Sequence, residues 1–110
     1  MDFYISKEEV VKSLNATLGV VEKRQTLPIL SNVLLEVDES SLKITATDLE
    51  SEISTTSTIS NFKSGGKTTA PARKLNDLCR LLPDLTEIHL FLDGDNLKIE
   101  TESGKYNIST

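Results

Sequence analysis

The sequence predicts an α+β fold in which one βαβββ unit is written twice. Three observations predict it. First, Leu35, Val37, Asp38, Leu42, Lys43 and Ile44 recur in kind as Leu90, Leu92, Asp93, Leu97, Lys98 and Ile99, always fifty-five positions on. The same spacing links Ile53-Ser54-Thr55 to Ile108-Ser109-Thr110 and Leu27-Pro28 to Leu82-Pro83, and self-similarity at a fixed period marks a repeated unit. Second, each half carries one apolar stripe at helical spacing. Third, that stripe is followed in each half by three short runs bounded by turn residues. The expected architecture is a single domain over 1–110, with repeats at roughly 1–60 and 66–110 and both helices on one side of antiparallel sheets.

In the first repeat Phe3 to Ile5 is a short strand. Ser6 reads as a helix N-cap and Glu9, three residues on, completes a capping box. Val10, Val11, Leu14, Leu18 and Val21 form the stripe, with Lys7, Lys12 and Asn15 away from it. After Pro28, strands are expected at 29–37, 42–47 and 52–59, the first two joined by the turn Asp38-Glu39-Ser40-Ser41. Lys63-Ser64-Gly65-Gly66 reads as a flexible joint. In the second repeat 68–70 is the short strand and Pro71 suits a first helical turn. Leu75, Leu78, Cys79 and Leu82 make the stripe, with Arg73, Lys74, Asn76, Asp77 and Arg80 on the other faces. Pro83 stops the helix. Strands follow at 87–92, 97–101 and 105–110, with Asp93-Gly94 marking a hairpin.

Composition narrows the function. The chain is 37% hydrophobic and 26% charged, ordinary values for a globular domain. Its 5% aromatic content implies an aliphatic core. Cys79 is the single cysteine, so an intrachain disulfide is excluded and a reducing compartment fits. No apolar run approaches the roughly 20 residues of a membrane span, and Met1-Asp2-Phe3-Tyr4 lacks the regions of a signal peptide. The expectation is a cytoplasmic protein without a membrane partner. A net charge of −5 opposes nucleic-acid binding unless the basic residues gather on one face. They do gather: the second helix segment holds Arg73, Lys74 and Arg80 against Asp77, and Lys23 and Arg24 follow the first.

Several signals lead nowhere. Ser64-Gly65-Gly66-Lys67-Thr68 imitates the end of a phosphate-binding loop, but Asn61 stands where that motif needs its first Gly. His89, the only histidine, has no Ser, Cys or Asp that the sequence places beside it, which argues against a triad or zinc site. Cys79 lies on the apolar stripe and reads as core. Asp48, Glu50 and Glu52 read as a solvated strand face. Asn15-Ala16-Thr17 and Asn107-Ile108-Ser109 are sequons without a secretory context. No catalytic constellation and no cofactor are expected.

Four segments carry a resemblance: Arg24-Gln25-Thr26-Leu27-Pro28-Ile29-Leu30, Thr47-Asp48-Leu49-Glu50, Pro71-Ala72-Arg73-Lys74, and Asp77-Leu78-Cys79-Arg80-Leu81-Leu82-Pro83. In this order they resemble the bacterial sliding clamp family, the β subunit of the replicative DNA polymerase, in its N-terminal domain. The resemblance implies a DNA-clamp fold, the first of three such domains in a chain, two chains closing head to tail into a ring around duplex DNA. It implies a non-catalytic processivity factor whose partners are DNA phosphates, other clamp domains, a second subunit, the polymerase and the clamp loader. The sequence ends after the first domain and looks like a fragment, so the family's pocket for partner peptides, which lies in the later domains, is not expected here.

On this resemblance Arg24 and Arg73 match positions near DNA. Arg80 and Lys12 are added from helix face alone, where a solvated surface is an equal reading. The terminal strand, 105–110, matches the edge that meets the third domain of the other subunit. Tyr106 and Ile108 would pack across that junction and Lys74 would offer charge; the other reading places Tyr106 and Ile108 in this domain's own core. The alternative function is a protein-interaction module that pairs edge strands and never meets DNA. Convergence of Arg24, Arg73 and Arg80 on one concave side would favour the clamp.

Overall fold

The computed structural model describes residues 1–23, 32–47 and 52–109, with 19–23 as backbone only. The elements run β1 (Asp2–Ser6), α1 (Lys7–Lys23), β2 (Asn32–Val37), β3 (Ser41–Thr47), β4 (Glu52–Thr58), β5 (Asn61–Ser64), β6 (Gly66–Pro71), α2 (Ala72–Arg80), β7 (Glu87–Asp93), β8 (Asn96–Thr101) and β9 (Gly104–Ser109). They build two antiparallel sheets, ordered β5-β1-β7-β8-β9 and β4-β3-β2-β6. Each helix-preceding strand therefore joins the sheet made by the other half. β1 pairs with β7, and β6 pairs with β2. Periodicity along one half carries no trace of this exchange.

One side of each sheet is aliphatic. Phe3 faces Leu90, Leu90 faces Ile99, and Leu97 faces Ile108 across the first sheet. Val33 faces Ala70, and Leu35 faces Ile44 across the second. All are buried in one continuous core with Val10 and Leu14 of α1 and Leu75 and Cys79 of α2. Strand period and helix period thus converge on one apolar interior. α1 lies against α2, β3 and β4.

The registers locate where the two halves correspond. Leu35–Ile44 and Val37–Leu42 in β2–β3 have Leu90–Ile99 and Leu92–Leu97 as their counterparts in β7–β8, at the fifty-five-residue spacing. The spacing fails in the next strand. Leu42 faces Ser57, whereas Leu97 faces Ile108, so Ile108 stands where the first half has Ser57 and not Ile53. The cause is the tighter hairpin between β8 and β9, in which only Glu102 and Ser103 separate the paired Thr101 and Gly104.

Local signals account for the element ends. The Ser6 hydroxyl accepts the Glu9 N–H at 3.3 Å, an N-cap. The reciprocal half of the capping box does not form, because the Glu9 carboxylate takes the Thr58 N–H of β4 at 3.3 Å. Asp38 closes the β2–β3 turn by accepting the Ser40 and Ser41 N–H groups, each at 3.0 Å, the turn chemistry expected of Asp. These hydrogen bonds hold its carboxyl below the ordinary aspartate range. Gly94, at φ 60, occupies the first central position of the β7–β8 hairpin, where a II′ turn demands Gly.

The expected flexible joint is instead ordered strand. Asn61–Ser64 pairs with β1, and Gly66 begins β6 opposite Val37. Glycine serves close approach here: at φ +151, a Cβ on Gly66 would lie 3.1 Å from the Met1 nitrogen. Asn76 also departs from expectation. It is 2% exposed, on the inner face of α2 beside Leu75 and Cys79.

Candidate nucleic-acid and partner interface

α2 is built to show one face. Pro71, at φ −62, precedes it without a side-chain cap. Ala72, Leu75, Asn76 and Cys79 are buried, which leaves Arg73, Lys74, Asp77 and Arg80 exposed. Arg73, Asp77 and Arg80 stand at i, i+4 and i+7 and so share one stripe. Arg80 is in the last turn, where a cation meets the negative end of the helix dipole. On α1 Lys12 is exposed, together with Glu8, Asn15 and Ala16. Arg24 lies outside the described residues.

Lys7 behaves differently from the other helix cations. Its side chain is only 13% exposed and crosses to the end of α2. There its ammonium donates to the carbonyls of Leu82 at 2.5 Å and Arg80 at 3.4 Å, and pairs with Asp84 at 3.2 Å. Glu8 accepts the Leu85 N–H at 2.9 Å, and the Lys7 N–H donates to the Thr86 carbonyl at 2.9 Å. The first turn of α1 therefore clamps the last turn of α2 and fixes where Arg80 points from.

The proposed edge residues differ in exposure. β9 closes one side of the five-stranded sheet and pairs only with β8 among the described residues. Tyr106 is 36% exposed and its ring covers Gly104. Ile108 is 2% exposed and belongs to the core. The expectation that its side chain packs across a junction is thus corrected: it faces inward against Leu97, and the reading that put it in this domain's own interior holds. Lys74 is exposed at the start of α2.

One cluster escaped sequence reasoning. β1–β7 pairing brings Asp2 to His89, with its carboxylate 2.6 Å from Nε2. Tyr4 stacks on the imidazole at 4.3 Å, Phe91 lies tilted at 4.7 Å, and Glu100 is 4.0 Å from Nδ1. No sequence signal was available, because the pairing joins distant halves. Among the described residues no group of three or more His, Cys, Asp and Glu could hold a metal. The Cys79 thiol is fully buried, and burial pushes its pKa up to about 12, so it lacks the thiolate a nucleophile needs.

The family model described as DNA polymerase III beta subunit, N-terminal domain, matches residues 1–110. The chain belongs to this family. It is 42% identical over 110 residues to the beta sliding clamp of Proteus mirabilis, covering all of this chain and 30% of that protein. The crystal structure of the DNA polymerase III subunit beta from Pseudomonas aeruginosa superposes with a TM-score of 0.93 at 37% identity, over 100% of this chain and 30% of that one. The Caulobacter crescentus pol III beta structure gives 0.92 at 35% identity, over 99% and 29%. The chain thus spans about a third of these relatives' length, and its two helices and two antiparallel sheets form the clamp-domain fold of this family. No described helix is long and apolar enough to cross a membrane.

Proposed function

We propose that this chain is the first of three clamp domains in a cytoplasmic ring that encircles duplex DNA and tethers the replicative polymerase. Its role is mechanical and non-catalytic. The observation that carries the reading is the match along all 110 residues to the beta-subunit N-terminal domain. The exposed Arg73–Arg80 stripe of α2, with Lys12 and Arg24, meets phosphates. Such contacts are nonspecific and salt-sensitive, which suits a ring that must move along its substrate. The polymerase and the clamp loader are partners of the assembled protein.

In this reading β9 is the edge that meets the third domain of a second subunit, through its outward backbone groups and Tyr106, with Lys74 offering charge. Ile108, on the same strand face as Tyr106, holds the strand to the core. The same edge would serve an interaction module that never meets DNA, so the test has two arms. Sedimentation velocity of the chain mixed with a family clamp's third domain should show association that Tyr106→Glu abolishes. Duplex DNA added to the chain alone should bind feebly, because the net charge is −5. Association unaffected by Tyr106→Glu would overturn the edge assignment. Tight, salt-resistant DNA binding by this domain alone would overturn a mechanism that holds DNA by topology.

A further inference from the structure

Leu85 is disfavoured at its position on two counts. Its side chain is 90% exposed, so the fold gains nothing from its apolar surface. Its φ of 65 is the left-handed conformation that a branched side chain resists and glycine adopts freely. The segment is not loose: the Leu85 N–H is held by Glu8 at 2.9 Å, the Thr86 carbonyl accepts from Lys7 at 2.9 Å, and the Thr86 hydroxyl donates to the Pro83 carbonyl. The protein braces an exposed leucine at a fixed place.

That place is the rim of a groove of 720 Å³ on the outer side of the five-stranded sheet, away from the core. The Tyr4 and His89 rings line it, and its walls carry Asp84, Glu87, Glu100 and Glu102. No Lys or Arg is among its described lining residues. Lys7 pairs with Asp84 from behind, and Glu87 accepts the Ser60 hydroxyl at 3.0 Å, so the carboxylates of Glu87, Glu100 and Glu102 set the sign of the groove. Lys105 lies across the strand pair from Glu100, outside the lining.

We propose that this groove docks an extended basic segment of a partner protein, with Lys or Arg side chains reaching Glu87, Glu100 and Glu102 and an apolar side chain meeting Leu85. Charge complementarity selects the partner's sign. The exposed leucine supplies an apolar anchor, and a guanidinium can also lie on the Tyr4 ring. The same carboxylates repel phosphates, so docking at this groove does not depend on the ring reading.

The test is an ¹⁵N NMR titration of the chain with a hexapeptide of alternating Arg and Leu, with alternating Glu and Leu as the control. Shift changes should concentrate at Leu85, Thr86, His89 and Glu102, for the basic peptide only. The pair Glu87→Gln and Glu102→Gln should weaken binding about tenfold, since two charge-assisted contacts are removed. Leu85→Gly should weaken binding while leaving thermal stability equal or higher, because glycine accepts the positive φ. Shifts spread evenly over all acidic surfaces, equal affinity in the Gln pair, or no binding at millimolar peptide would overturn the proposal.

Discussion

Replacing Lys7 with methionine tests how the two helices are joined. Methionine keeps most of the stem and removes the ammonium. Three contacts are lost, and they are not equal. The ion pair with Asp84 involves a carboxylate that is 89% exposed, so water and salt screen it to about 0–1 kcal/mol. The bonds to the Leu82 and Arg80 carbonyls satisfy orphan acceptors at the end of α2 from a side chain only 13% exposed. Hydrogen bonds to a charged group contribute about 1.5–3 kcal/mol, and the helix dipole adds to the same contact. Lys7→Met should therefore destabilise by about 2–3 kcal/mol, and Asp84→Asn by under about 0.5 kcal/mol. In a domain of this size the first change lowers the melting temperature by roughly 8–12 °C. Urea melts of both variants at low and high salt give the answer. Equal losses in the two variants, or a Lys7→Met loss that disappears in high salt, would refute the argument that the carbonyls matter more than the ion pair.

Four further outcomes are expected. Ile108→Ala should cost about 2–5 kcal/mol in a urea melt, as a buried branched side chain does, while Tyr106→Ala costs less because 36% of Tyr106 is already exposed. The Cys79 thiol, with its pKa near 12 and no exposure, should stay unreactive towards a disulfide reagent at pH 8 until the chain is unfolded in urea. Asp38, whose carboxyl is held low by the Ser40 and Ser41 N–H groups, contributes stability above its unfolded pKa and loses it as pH falls through the lower folded value. Asp38→Ala should thus narrow the difference between neutral and acid melting temperatures, and a carboxyl titration followed by NMR should place Asp38 below ordinary aspartates. Residues 1–64 and 65–110 prepared as separate chains should not fold alone, because β1 and β6 each complete the other half's sheet; their mixture should recover the circular dichroism of the intact chain.

The sequence carried the elements and their inward faces well. Leu35, Leu42, Ile44, Leu90, Leu97 and Ile99 all lie in the core, because alternation records burial one strand at a time. It did not carry β5, whose residues Asn61–Ser64 are mostly exposed and show no alternating apolar run. Nor did it carry the strand exchange, which is decided by pairing between residues distant in sequence, such as Phe3 with Leu90 and Val33 with Ala70. The burial of Asn76 was hidden by its polar chemistry, and the Asp2–His89 contact by the same long-range pairing. The Ile53–Ile108 equivalence misled because a repeat is conserved in sequence spacing only until a turn changes length. Of the four cations named from sequence for DNA contact, Lys12, Arg73 and Arg80 are exposed and Arg24 lies outside the described residues. Which helix cations are structural could not be read from sequence, since Lys7 differs from Lys12 only in what the end of α2 places beside it.

The exchange of first strands also sets where the helices and their exposed cations lie. Because β1 leads into α1 from one sheet and β6 leads into α2 from the other, the two helices are brought against each other instead of being covered each by its own half. Their inner faces hold the apolar stripes, which leaves most of their charged residues exposed. Arg73 and Arg80 are exposed on α2 and Lys12 on α1, while the carboxylates of Glu87, Glu100 and Glu102 line a groove with no described basic residue. Net charge, the single number that most opposed nucleic-acid binding, does not say which surface each charge occupies.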